Sequence, residues 1–123
     1  MAVLPNEAAV KNLLPDMAIL RNIAHRGIVV TAPGENVDFV SRTFYPQKTL
    51  TKEDAVTGAS HCLLVPYWAK RLNKNTLTAR QLSARGGLLK CKLNNDRVLL
   101  SGQGVLYSSG KIRIQSLETI QSV

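Results

Sequence analysis

The residues best able to do chemistry lie in one run. Lys52-Glu53-Asp54-Ala55-Val56-Thr57-Gly58-Ala59-Ser60-His61 leads into Cys62-Leu63-Leu64-Val65-Pro66-Tyr67-Trp68-Ala69. An acidic pair and a Thr-Gly corner open a helix that is apolar nearly all the way round. Thr57 is a natural N-cap, which leaves the amides of Gly58, Ala59, Ser60 and His61 without intrahelical partners. Such an end carries partial positive charge and free donors, and so attracts a carboxylate or phosphate. Asp54, just outside it, is placed to serve as acid or base beside a bound anion. Glu53 reads as its solvated neighbour. The same residues would equally serve a capped core helix whose acids only satisfy the dipole.

Two further side chains are candidates. His61 is expected to reach the helix entrance as a general acid or base, against the commoner use of such a histidine in packing. Arg42, on the strand before the loop, is expected to meet a substrate carboxylate as a bidentate partner, against the alternative of an ion pair. Cys62 and Cys91 sit in core-like contexts, lack metal-ligand spacing and fit reduced thiols in a cytoplasm. Gly86-Gly87 and Gly102-Gln103-Gly104 lack the strand-to-helix setting of a nucleotide loop and read as bends or bulges. No Ser/His/Asp triad or metal cluster is visible.

The elements that must position these groups follow from pattern. Asn6 caps a short helix bearing Ala8, Ala9, Val10, Leu13 and Leu14; Pro15-Asp16 breaks it, and Met17, Ile19, Leu20 and Ile23 mark a second. Strands are expected at Gly27 to Ala32 and Asp38 to Tyr45, with a turn at Pro33 to Asn36. The helix runs from Gly58 to about Leu72. Pro66 would bend it near Cys62 to Val65, and Lys70, Arg71 and Lys74 complement its C-terminal dipole. Strands follow near Thr78 to Ser83, Leu88 to Leu93 and Arg97 to Ser101, with a hairpin turn at Asn94-Asn95-Asp96. A last hairpin is expected from Val105 to Tyr107 and Lys111 to Gln115. A helix apolar all round is a buried helix, so the expected fold is α+β: a mixed sheet curled around one central apolar helix.

The Glu-Asp-x-Val-Thr-Gly run followed by His61 resembles the signature of the PhzF-like phenazine biosynthesis family, relatives of the diaminopimelate epimerase fold. Further matches are Asp38-Phe39-Val40-Ser41-Arg42 with Phe44 and Pro46, Pro66-Tyr67-Trp68-Ala69, Ala79-Arg80-Gln81-Leu82-Ser83, Arg85-Gly86-Gly87 and Ser101-Gly102-Gln103-Gly104-Val105. The resemblance implies the same curled sheet around a helix. It also implies a cofactor-free isomerase that moves a proton on a small carboxylate-bearing metabolite, as in the dihydro-hydroxyanthranilate isomerisation of phenazine biosynthesis. Asp54 then matches the active-site aspartate, and the turn of Thr57, Gly58, Ala59 and Ser60 the carboxylate cradle. The family order after Thr-Gly is Ser-Ala; here it is Ala59-Ser60, which moves the hydroxyl about 100° round the helix. Ala55 replaces the family proline and loosens the corner. Racemases of the same fold place a cysteine where this chain has Ala59, so Cys62, almost a turn deeper, does not support two-thiol chemistry.

The chain resembles only the second half of such a protein. The family's acid/base glutamate belongs to the first half, and none of Glu7, Glu35, Glu53 and Glu118 has a comparable context. The opening Met1-Ala2-Val3-Leu4-Pro5 reads like the tail of a strand. The expectation is a single domain over residues 1–123, inactive alone, that self-associates or joins a complementary N-terminal half. The alternative is a non-catalytic anion-binding or scaffold module.

Composition agrees with a globular domain: 45% of the 123 residues are hydrophobic and 20% charged. No apolar run approaches the roughly 20 residues of a membrane span, and no secretory signal opens the chain. The net charge of +8 comes from sixteen dispersed basic residues without a block, and the aromatics are not interleaved with them for base stacking. The charge therefore reads as a solvated surface that steers small anions, with neither nucleic acid nor membrane as partner.

Overall fold

The structure is a computed structural model and describes residues 1–23, 26–48 and 52–114. Its elements are β1 (Ala2–Val3), α1 (Glu7–Lys11), α2 (Met17–Ile23), β2 (Ile28–Pro33), β3 (Phe39–Phe44), α3 (Gly58–Leu72), β4 (Thr76–Gln81), β5 (Gly87–Asn94) and β6 (Arg97–Ser101). The six strands form one mixed sheet in chain order. β1 runs parallel to β2 and β3 parallel to β4; the other neighbours are antiparallel. The parallel pairs are joined by α1 with α2 and by α3, as parallel strands require a crossover.

The helices fall on opposite faces of the sheet. Val29, Phe39, Leu77, Ala79, Leu89 and Cys91 pack against Leu64, Val65, Trp68 and Ala69 of α3. Val30, Ala32, Val40 and Phe44 pack with Val10, and with Leu13, Met17 and Leu20, on the other face. β2 and β3 are therefore buried on both faces, whereas β4 alternates buried and exposed residues. The helix starts behave as their side chains dictate. Asn6 Oδ1 accepts from the Ala9 amide at 2.8 Å, and Asp16 Oδ1 from those of Ala18 and Ile19 at 2.8 and 3.1 Å.

α3 has the expected bounds, with Pro66 inside it. Asn73 stops it at φ 53°, a left-handed cap that asparagine tolerates. The helix is not enclosed, however. His61, Leu64, Val65, Trp68 and Ala69 are buried, while Ala59, Cys62, Leu63 and Pro66 form an exposed stripe on its other side. Among the described residues the sheet does not close around it. Apolar residues on every side of a helix require cover, and do not require that this chain's own sheet provide it.

The β5–β6 hairpin turns at Asn95-Asp96, with Asn95 at φ 54°. Among the described residues the expected last hairpin is absent: Gly102 to Ile114 contains no strand, and Val105, Leu106, Tyr107, Ile112 and Ile114 are all at least 82% exposed. The pattern there is strand-like, but among the described residues no neighbouring strand takes its backbone groups. Gln115 lies outside the described residues, as does His25.

Candidate active site

The loop returning from β3 brings Asp54 back to the sheet. Glu53 bridges Phe44, the Asp54 amide donates to the Thr43 carbonyl at 3.0 Å, and Tyr45 donates to Lys52 at 2.7 Å. The chain then turns through Ala55 and Val56 into α3. Thr57 occupies the N-cap position with extended backbone, but its side chain makes no capping bond. The hydroxyl instead donates to Asp54 Oδ2 at 2.9 Å, and Gln81 Oε1 takes the Thr57 amide at 2.8 Å. The N-cap carbonyl serves the first full turn, so the His61 amide is within the helix ladder. The open donors are therefore the amides of Gly58, Ala59 and Ser60. None of them is given to a group outside the helix among the described residues. Gly58 and Ala59 are exposed, and the helix end faces solvent.

Ser60 turns its hydroxyl toward the sheet, where it accepts from Thr43 Oγ1 at 3.1 Å. Shifting the hydroxyl from position 59 to position 60 thus moves it from the cradle into the β3–α3 contact. The cradle is made of amides alone.

His61 and Arg42 lie away from the helix end. The His61 ring is fully buried, 5.9 Å from the ring of Phe39. Its Nδ1 is 2.8 Å from the Thr57 carbonyl, which can only accept, so Nδ1 carries the proton and Nε2 is the bare nitrogen. Nε2 is buried without a partner among the described residues. Burial pushes the imidazole pKa down, against the opposing bond to Thr57. The expected reach to the entrance is thus replaced by an interior position.

Arg42 alternates with Ser41 and Thr43, which face α3, and so points to the α1 face. There it grips Glu53 through Nε and Nη2 at 2.7 and 3.0 Å. Nη1 donates to the carbonyls of Val10, Lys11 and Leu13 at 3.2, 3.2 and 2.8 Å. All three nitrogens are engaged, so Arg42 clamps the end of α1 to the strand that delivers Asp54 and is not free for a carboxylate.

Residues later in the chain hold the corner from below. Fully buried Gln81, at the end of β4, bonds both Asp54 and Thr57. Ser83 Oγ donates to the Ala55 carbonyl at 2.6 Å and accepts from the Gly86 amide at 3.0 Å. A Cβ on Gly87 would stand 2.3 Å from Val56 Cγ2, so any larger residue there would force the Val56 side chain to shift. The Gln-x-Ser-x-x-Gly-Gly spacing carries the signal, but the corner groups that Gln81 and Ser83 bond lie 24 to 28 residues away in sequence. Beside Val56 opens a cleft of about 680 Å³ whose rim includes Arg85, Lys90 and Gln103. Cys91 is buried, and burial followed by the nearby Asp38 charge pushes its thiol up to about 11; Cys62 is exposed. No described helix is long and apolar enough to cross a membrane.

Fold and site together define an α+β domain that presents an uncapped helix end beside a carboxylate. The chain belongs to the phenazine biosynthesis-like (PhzC-PhzF) protein family, which matches residues 1–110. It is 51% identical over 114 residues to an uncharacterized isomerase of Pseudomonas aeruginosa, covering 93% of this chain and 43% of that protein. It is 48% identical over 102 residues to an uncharacterized isomerase of Halalkalibacterium halodurans, covering 81% and 38%. A PhzF-family crystal structure from Enterococcus faecalis superposes with a TM-score of 0.81 at 43% identity, covering 91% of this chain and 43% of that one. A PhzC/PhzF-type protein from Clostridium difficile gives 0.80 at 46% identity, with the same coverages. The chain thus spans less than half the length of these relatives, and the family it joins has members named as isomerases.

Proposed function

We propose that this chain supplies the anion-holding half of a cofactor-free isomerase site that works in the cytoplasm on a small carboxylate-bearing metabolite. The observation carrying this reading is the uncapped end of α3. Thr57 spends its hydroxyl on Asp54, leaving the Gly58, Ala59 and Ser60 amides for an external carboxylate next to that same aspartate. The carboxylate is fixed by the amides, and Asp54 moves a proton between substrate carbons or assists a second acid that does so. Dispersed positive charge steers small anions toward the site rather than binding nucleic acid.

A single carboxyl serves one side of a substrate only. The chain is therefore inactive alone and is completed by a complementary N-terminal half or by self-pairing. The exposed α3 stripe and the apolar side chains between Val105 and Ile114 supply surface for that contact. Mixing with the first-half polypeptide of the Pseudomonas aeruginosa relative tests the reading. Light scattering should show a stoichiometric complex, and benzoate affinity should rise at least about tenfold as the cleft is closed from water. Asp54→Asn should keep benzoate binding and abolish any turnover gained. Absence of a complex, with both polypeptides folded, would count against the completion by two halves.

A further inference from the structure

The Ala79-Arg80-Gln81-Leu82-Ser83 motif has no part in the chemistry above, yet its Gln81 is bonded to the corner through every polar atom of its carboxamide. Oε1 accepts from the Thr57 amide at 2.8 Å, and Nε2 donates to the Asp54 carbonyl at 2.8 Å and to Thr57 Oγ1 at 3.1 Å. An amide N–H only donates and a carbonyl only accepts, so these partners fix which way round the carboxamide sits. The direction then propagates. Thr57 Oγ1 accepts a hydrogen bond from Gln81 Nε2, and its own hydroxyl donates to Asp54 Oδ2 at 2.9 Å. Asp54 Oδ2 is thereby an acceptor within the chain, while Oδ1 has no partner among the described residues.

We propose that Gln81 is a positioning residue: its carboxamide orients the Thr57 hydroxyl so that Asp54 Oδ2 is held and Oδ1 is the oxygen that exchanges a proton with the substrate. Oδ1 takes the proton from a substrate carbon, the C–H electron pair stays in the substrate, an acid of the completing half gives a proton to a different carbon, and the two acids regain their starting protonation by exchange with solvent. The inference deepens the reading of Asp54 as the acid/base of this site and rests on it. It also accounts for glutamine at a buried position, where an apolar residue would fill the space without the cost of burying a carboxamide. An ionised glutamate there would accept the Thr57 amide but could not donate, and the Thr57 hydroxyl would turn its proton away from Asp54.

NMR of the full 123-residue chain tests this. The wild type should show a slowly exchanging Thr57 hydroxyl proton, with coupling across the hydrogen bond to Asp54 Cγ; Thr57→Val removes the signal and confirms its assignment. Gln81→Leu should keep the dispersed core amides and lose the coupling, and benzoate affinity should fall about tenfold as the corner loosens. If Gln81→Leu does not fold, the nearly isosteric Gln81→Glu is read instead: the Thr57 amide signal stays and the coupling is lost. Coupling that persists in the folded variant, or that is missing in the wild type, overturns the proposal. Benzoate shifts at Gly58 to Ser60 in the wild type are read separately. Their absence alongside an intact coupling would sink the anion-site reading and leave the Gln81 geometry standing.

Discussion

The corner from Asp54 to Ser60 and the stretch from Gly102 to Ile114 treat their groups in opposite ways. In the corner, Gln81, Ser83 and Thr43 take up backbone and side-chain groups one by one, and what stays open is a row of three amides at a helix end. In the later stretch, five apolar side chains stand in solvent and, among the described residues, no strand pairs with the backbone. The first segment is determined by contacts inside this chain. The second has a strand-like sequence and, among the described residues, no partner to make it a strand. In the proposed reading, the open polar donors surrounded by closed packing take the small ligand, and the open apolar side chains take another polypeptide surface.

Breaking the scaffold beneath the corner should have the largest effect. Trp68 stacks on Phe39 at 5.8 Å and donates to Thr31 Oγ1 at 2.9 Å. Trp68→Ala should cost about 3–5 kcal/mol in urea unfolding, with loss of the corner amide signals. Arg42→Ala should cost about 2 kcal/mol, because it removes charge-assisted bonds to Glu53 and the α1 carbonyls. It should raise hydrogen exchange at Asp54 while leaving the β5–β6 hairpin unchanged.

The pH dependence sharpens the contrast. His61 has its folded pKa held below the ordinary 6.5 by burial, so the unfolded chain binds more protons as pH drops through that value. His61 therefore contributes stability above about pH 6.5 that is lost progressively as pH falls below it. In a His25→Gln background, the urea midpoint should fall between pH 7.5 and 5.5, and His61→Gln should flatten that slope. The smallest stability effect is expected in the later stretch. Replacing Val105, Leu106 and Tyr107 together by Ser should change stability by less than about 0.5 kcal/mol. It should nevertheless reduce self-association by light scattering. A large loss of stability would show that the stretch packs within the chain after all.

The sequence made α3 legible to its bounds, because Thr57-Gly58 and the basic residues before Asn73 punctuate a long apolar run. The β5–β6 hairpin was equally legible from Asn95-Asp96. The choice between a substrate carboxylate and an ion pair for Arg42 is not legible in the sequence, because β3 is buried on both faces and no polar alternation in Phe39 to Phe44 reveals which side faces α3. Thr57 takes the N-cap position that its residue type favours, and only Gln81, distant in sequence, diverts its hydroxyl from the capping bond. His61 occupies a helix position that a sequence places near the entrance, but the Thr57 carbonyl and Phe39 hold its ring inside. The closing hairpin failed for a different reason: local pattern specifies a strand's faces, and a strand also needs an edge to join.

The most direct test of the anion-site account is an amide-resolved titration of the purified chain with benzoate. The account predicts a dispersed spectrum with shifts concentrated at Gly58, Ala59 and Ser60, and little change at Thr57, whose amide is already taken by Gln81. A dispersed spectrum with no shifts at those three amides would contradict it.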